Sequence, residues 1–234
     1  MKQSQRLWLV VLFALLLVIG GSLIASWVQT NGNTVTIKDV RFVGTNGTVM
    51  SALLYVPKNA TAKTPAPGIV AIHGYINSRE TQSGFAIEFA RRGYVVLAVD
   101  QTGHGFSQPP ALANGFGGPD SLKFLRSLDI VDKANIGLEG HSMGGWAVVI
   151  AAQTYPNDYT SMVLEGSSTG TYGGITGTTT FPRNLGLVFS KYDEFSALMW
   201  LSPVPADMVK NPKTQMLFGT TGPVEVGKLY GDIA

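Results

Sequence analysis

The rhythm of hydrophobic and polar positions changes three times along this chain. Residues 7–28 (LWLVVLFALLLVIGGSLIASWV) contain no charged position and are long enough to cross a bilayer as a helix. Residues 29–33 are polar and read as a linker. The runs TVTIKDVRFVG and TVMSALLYVP then flank Thr45-Asn46-Gly47 and predict two strands joined by an Asn-Gly turn. Residues 58–67 form a Pro/Ala/Thr-rich loop. Beyond them, short apolar runs alternate with amphipathic stretches. GIVAIH (68–73), YVVLAVD (94–100) and residues 134–139 predict strands, the first two buried on both faces. Residues 159–165 and 184–189 predict two more. Residues 80–92, with Phe85 and Phe89 four positions apart, predict a helix, as do 121–128 and 146–152.

This alternation predicts an α/β fold: a mostly parallel sheet with helices on both faces and the hairpin as an antiparallel edge, preceded by an N-terminal transmembrane helix. Residues 34–234 read as one domain without internal repeats. Residues 108–119 and 166–183 are expected to be long loops near a site, although the second is equally readable as a free surface loop.

Charge sets the orientation of the apolar segment. Lys2 and Arg6 precede it and no charge follows until Lys38. The asymmetry predicts a cytoplasmic N-terminus (1–6), an anchor at 7–28 and a domain outside the cytoplasm. A cleaved signal peptide is the alternative, its best but poor processing site lying around residues 20–22. A soluble core helix fits least, because such helices are seldom apolar on every face. Composition adds exclusions. With no cysteine among 234 residues, disulfides, thiolate metal sites and cysteine nucleophiles are ruled out. A net charge of +2 without a basic run gives no sign of a nucleic-acid partner. No acid/histidine cluster has metal-ligand spacing, and no glycine-rich segment has a phosphate-binding pattern, so no metal or organic cofactor is expected.

The candidate chemistry lies in IGLEGHSMGG (136–145). Here a predicted buried strand runs into Gly140-His141-Ser142-Met143-Gly144, and a predicted helix follows. A sharp strand-to-helix turn forces unfavourable backbone angles on Ser142, so its neighbours must be small. Helix onset after the serine points free N–H groups at the space above its hydroxyl. The plainer alternative is a tight turn that needed small residues. GHSMGG resembles the nucleophile elbow of the α/β-hydrolase superfamily, specifically its dienelactone-hydrolase and serine-aminopeptidase-like members. AIHGY (71–75) resembles the His-Gly segment that supplies half an oxyanion hole. AVDQTGHGFS (98–107) resembles the loop that follows the next strand in those proteins. The three motifs keep the family's order and spacing, so the resemblance spans roughly residues 35–193.

The resemblance implies that Ser142 attacks an acyl carbon of an ester or amide. The backbone N–H groups of Met143 and Tyr75 would stabilise the oxyanion, with His73, Gly74, Gly140, His141 and Gly144 as structural support. It places the acid at Asp193, after the strand 184–189, with Glu165 as a lesser alternative. The family's general base is a histidine that follows the acid, yet the only histidines are His73, His104 and His141. His104 is a weak substitute. Two accounts follow: a chain that continues beyond Ala234 to a histidine, or a member of the fold that lost its base and only binds. Truncation is the expectation here, with low activity for the present chain. Substrate identity is not readable: Phe106, Phe116, Tyr172 and Phe181 would suit an apolar acyl group but fit plain packing equally well.

Overall fold

The structure, a computed structural model, describes residues 3–167, 184–189 and 215–218. Its strands are β1 (Val35–Val43), β2 (Val49–Pro57), β3 (Ala66–Ile72), β4 (Val95–Asp100), β5 (Val131–His141), β6 (Ser161–Glu165), β7 (Leu185–Phe189) and β8 (Gln215–Phe218). They form one sheet in the order β1-β2-β4-β3-β5-β6-β7-β8. The hairpin β1–β2 and the β2–β4 pair are antiparallel, and the other pairs are parallel. The described helices are α1 (Gln3–Gln29), α2 (Ser83–Arg91), α3 (Ala113–Phe116, a distorted turn), α4 (Gly118–Ser127) and α5 (Met143–Thr154).

The central strands lack a polar alternation because alternate residues enter two separate cores. Val70, Ile72, Leu97, Val99, Leu138 and Leu164 pack with Leu122, Leu125 and Val148 of α4 and α5. Ile69, Ala71, Val96 and Ala98 pack with Ala86 and Ala90 of α2. The expected edge hairpin is therefore present, and helices cover both faces.

Boundaries differ from the sequence expectation where side chains intervene. The helix expected over 80–92 opens with a 3-10 turn, Arg79–Gln82, because the Arg79 N–H donates to the Asp100 carboxylate. The helix expected from Ser121 starts at Gly118, with Pro119 in its first turn, where a missing N–H costs nothing. Part of the expected loop 108–119 is thus α3 and the start of α4. β8 is a strand that periodicity did not reveal, since its four residues are too short to show one.

No described residue of α1 is buried. It is the one described helix long and apolar enough to cross a membrane.

An ionic cluster around a buried arginine ties β1, β2 and β4 to the loops at their ends. The Arg79 guanidinium, 3% exposed, donates to both Asp39 carboxylate oxygens at 3.0 and 2.8 Å, to Ser51 Oγ at 2.8 Å and to Glu80 at 3.1 Å. Asp100 lies 3.6 Å from Arg79 Nε. These acids raise the Arg79 pKa further above its ordinary value, the Asp39 bonds most. Removing Arg79 leaves the buried Asp100 without its cation, whereas Asp39 and Glu80 are half exposed and regain water, so the cost falls below the ~3–5 kcal/mol of a fully buried pair. Arg79→Ala is therefore expected to destabilise the chain by about 2 kcal/mol, seen as a lower unfolding midpoint in detergent. An unchanged midpoint would show that the cluster contributes nothing.

Candidate active site

β5 ends at His141 and α5 begins at Met143, so a single residue makes the reversal. That residue, Ser142, has φ 52° and ψ −120°, a region costing of order 1–3 kcal/mol for a residue with a side chain. Two hydrogen bonds hold it there: its N–H donates to the Glu165 carbonyl at 2.8 Å, and its carbonyl accepts from Gly145 N–H at 2.9 Å. Backbone packs directly on backbone beneath it. A Cβ on Gly140 would collide with the Gly144 carbonyl, and one on Gly144 would collide with the carbonyls of Ile72 and His73. Both glycines are needed for close approach.

The turn after β3 meets the elbow. A Cβ on Gly74 would lie 3.2 Å from Ser142 Cβ and 3.0 Å from His141 Nδ1. Tyr75 follows, its side chain exposed, in a turn closed by Asn77 N–H donating to the Gly74 carbonyl at 3.4 Å. Among the described residues, no backbone carbonyl takes the N–H of Tyr75. Met143 is the first residue of α5, where a helix leaves its N–H groups without internal partners.

The three histidines differ. His73 is fully buried; its Nε2 accepts the Gln101 N–H at 3.1 Å, so Nδ1 carries the proton and donates to the Gly74 carbonyl at 2.7 Å. Burial pushes its pKa down, and the neutral ring serves as a brace between two loops. His104 is half-buried, its Nδ1 3.2 Å from the Thr102 carbonyl. Its ring lies 5.5 Å from that of His73 and 6.1 Å from that of Tyr75. His141 is exposed. Asp193, Tyr172 and Phe181 lie outside the described residues, as does the loop 166–183 apart from Gly166 and Ser167. Phe106 is exposed at this edge of the sheet, with the guanidinium carbons of Arg41 and Arg79 each 5.1 Å from its ring centre. Of the two uses open to Phe116, acyl contact or packing, the structure shows packing, in the core beside Trp146.

Glu139 is a residue that the sequence pattern did not single out. It lies three positions before Ser142 and is buried, and among the described residues neither of its carboxyl oxygens has a hydrogen-bond partner. Burial, and then the charge of Glu165, push its pKa well above the ordinary value. Burial also raises that of Glu165. Glu139 lies on the face of β5 opposite Ile136 and Leu138 and is buried because this end of the central strand is covered on both faces.

The family model described as alpha/beta hydrolase fold matches residues 67–196, and the chain belongs to that family. Over 120 residues it is 29% identical to a monoacylglycerol lipase of Mycolicibacterium smegmatis, covering 49% of this chain and 43% of that one. The aligned segments span 33–43% of the length of the curated relatives it matches. An esterase of Pyrococcus furiosus superposes with a TM-score of 0.59 at 17% identity, covering 87% of this chain and 91% of that one. A dienelactone hydrolase-like promiscuous phosphotriesterase from metagenomic libraries gives 0.55 at 17% identity, covering 80% and 82%. At such identities the two structures share the fold.

The close contacts of the elbow make Gly144→Ala force a methyl into backbone, which should cost on the order of 3 kcal/mol. Gly84→Ala, with open space around it, should cost nothing; thermal unfolding of both variants checks this. For Glu139 the folded pKa lies above the unfolded one, so the native state binds the extra proton. Stability therefore falls as pH rises from the ordinary glutamate value of 4.5 toward the raised folded value, by about 1.4 kcal/mol for each pH unit crossed. Glu139→Gln should flatten that decline and stabilise the chain at pH 8; a pH series of unfolding midpoints that is parallel for both proteins refutes this.

Proposed function

We propose that this chain is a membrane-anchored serine hydrolase that cleaves ester bonds, and amides less readily, outside the cytoplasm. Residues 1–6 are the cytoplasmic end, 7–28 the anchor, 29–33 the linker and 34–234 the hydrolase domain. The observation that carries this reading is the backbone of Ser142, bent to positive φ at the first turn of α5. In that position the hydroxyl leaves the sheet edge while the adjoining amides of a helix start face the same space. Membership of the family and the lipase name among its relatives support the reaction class.

In the proposed reaction Ser142 Oγ attacks the acyl carbon, its proton passing to water that later returns one to the departing oxygen, and the carbonyl oxygen becomes an oxyanion. The N–H groups of Met143 and Tyr75 donate to it, an arrangement in which one lost donor lowers the rate about 10²–10³-fold. Collapse of the tetrahedral species expels the alcohol, and water then releases the acid. Asp193 is the proposed acid that would orient an imidazole and balance its charge. Serine also needs a proton acceptor. His73 has both ring nitrogens engaged, and no histidine follows residue 141. The 234-residue chain is therefore proposed to turn over esters slowly, on oxyanion stabilisation and binding alone.

The same observation favours a second reading, a binding protein of this fold without catalysis. A fluorophosphonate probe separates the two. Slow labelling of the wild-type chain and none of Ser142→Ala is expected, with ester turnover lost in the same variant. Labelling that survives in Ser142→Ala removes the serine from the chemistry, and no labelling of the wild type supports the binding protein.

A further inference from the structure

α1 and the serine adjoin opposite edges of one sheet. α1 passes into β1 through residues 30–34, and that connection is tied down. Gly32 N–H donates to the Trp27 carbonyl at 2.7 Å, Val35 N–H to Thr30 at 3.0 Å, and Lys58 N–H to Thr34 at 2.8 Å. Val35 pairs with Pro57 at the end of β2. Two residues back, Tyr55 pairs with Val96 near the start of β4, which pairs with Ile69 of β3. The chain thus enters at the edge where the parallel strands begin. Ser142 lies past the end of β5, where they finish.

The strand registers give the separation. Gly140 pairs with Ile72, Ile72 with Val99, Val99 with Ala52 and Ala52 with Val40. Val40 is five residues along from Val35, and Ser142 is two beyond Gly140. At roughly 3.3 Å per residue these seven steps amount to about 23 Å. The entry edge is also cationic: Lys58, Arg91 and Arg92 border a hollow beside Thr34 and Pro57. Glu88 is the acid paired with both arginines. Such an edge suits anionic headgroups. The exposed apolar residues Tyr75, Ile76 and Phe106 lie at the other edge.

We infer that the domain stands on the membrane by its β1-entry edge with Ser142 facing away, so that its substrate is an ester dissolved in the aqueous phase rather than one resident in the anchoring bilayer. This rests on the anchor and the serine role proposed above. The absence of cysteine makes the test direct. Single variants Asn59→Cys, at the entry edge, and Val43→Cys, at the serine edge, each carry a donor dye. The full chain is reconstituted in phosphatidylcholine–phosphatidylglycerol vesicles with a headgroup-linked acceptor. Energy transfer is expected to be several-fold stronger from residue 59 than from residue 43. Equal or reversed transfer overturns the inference, while failure to partition into vesicles overturns the anchor and the inference together. Neither measurement depends on whether Ser142 reacts. In the same vesicles a water-soluble fluorophosphonate should label Ser142 faster than one tethered to a diacyl lipid; the opposite order overturns the substrate class. No labelling by either overturns the hydrolase reading and the substrate class, and leaves the measured placement standing.

Discussion

Contact of backbone on backbone beneath Ser142 is the constraint on which the rest of the site depends. Gly140 abuts Gly144, and Gly144 abuts the last carbonyls of β3. The end of β5, the start of α5 and the end of β3 therefore share a volume that admits no side chain. Ser142 is the residue left outside it. Its strain, of order 1–3 kcal/mol, is small beside what α5 gains by docking. Val148 and Val149 are wholly buried, and each such side chain contributes about 1.5–3 kcal/mol. Core packing therefore holds the helix in place and imposes the strained turn.

The loops after β3 and β4 are not independent of one another. His73 Nε2 takes the Gln101 N–H. Asp100, fully buried, accepts the N–H of Arg79 through one oxygen and that of Phe106 through the other. The turn 74–78 is consequently held at both ends, by His73 on one side and Arg79 on the other. A turn held in this way can keep an N–H aimed without reorganising when charge develops, which is the property that makes such donors effective. Two conspicuous residues of the sequence motifs, His73 and Asp100, thus act through loop placement.

The sheet was largely legible because both of its signals are local. Continuous apolar runs of strand length marked β3 and β4, and an Asn-Gly pair marked the hairpin. Asn46 and Gly47 do have positive φ, as that turn requires. The elbow was legible for a similar reason, since only small residues fit its close contacts. Helix starts were less legible: the first turn before α2 is set by a carboxylate 21 positions away in sequence, which no local pattern reports. Phe116 stayed open between two uses because an aromatic in a predicted loop looks the same whether it lines a cleft or enters the core. Glu139 was missed because its effect depends on burial, and a single glutamate in a strand gives no sign of how deep it lies.

The buried carboxyl groups of β5 and β6 both lean toward the neutral form. A triad acid must be ionised, because it works by accepting a hydrogen bond from the imidazole and balancing its charge. Glu139 is buried without a partner among the described residues, and its raised pKa favours the protonated form. Glu165 stands opposite His141 in the β5–β6 register, close enough to the elbow that its carbonyl holds the Ser142 N–H. Burial biases its carboxyl toward the neutral form as well, and any charge it gains raises the Glu139 pKa further. Two acids so coupled resist ionisation together. The surroundings of both carboxyl groups thus run against ionisation, burial most and the Glu165 charge next at Glu139.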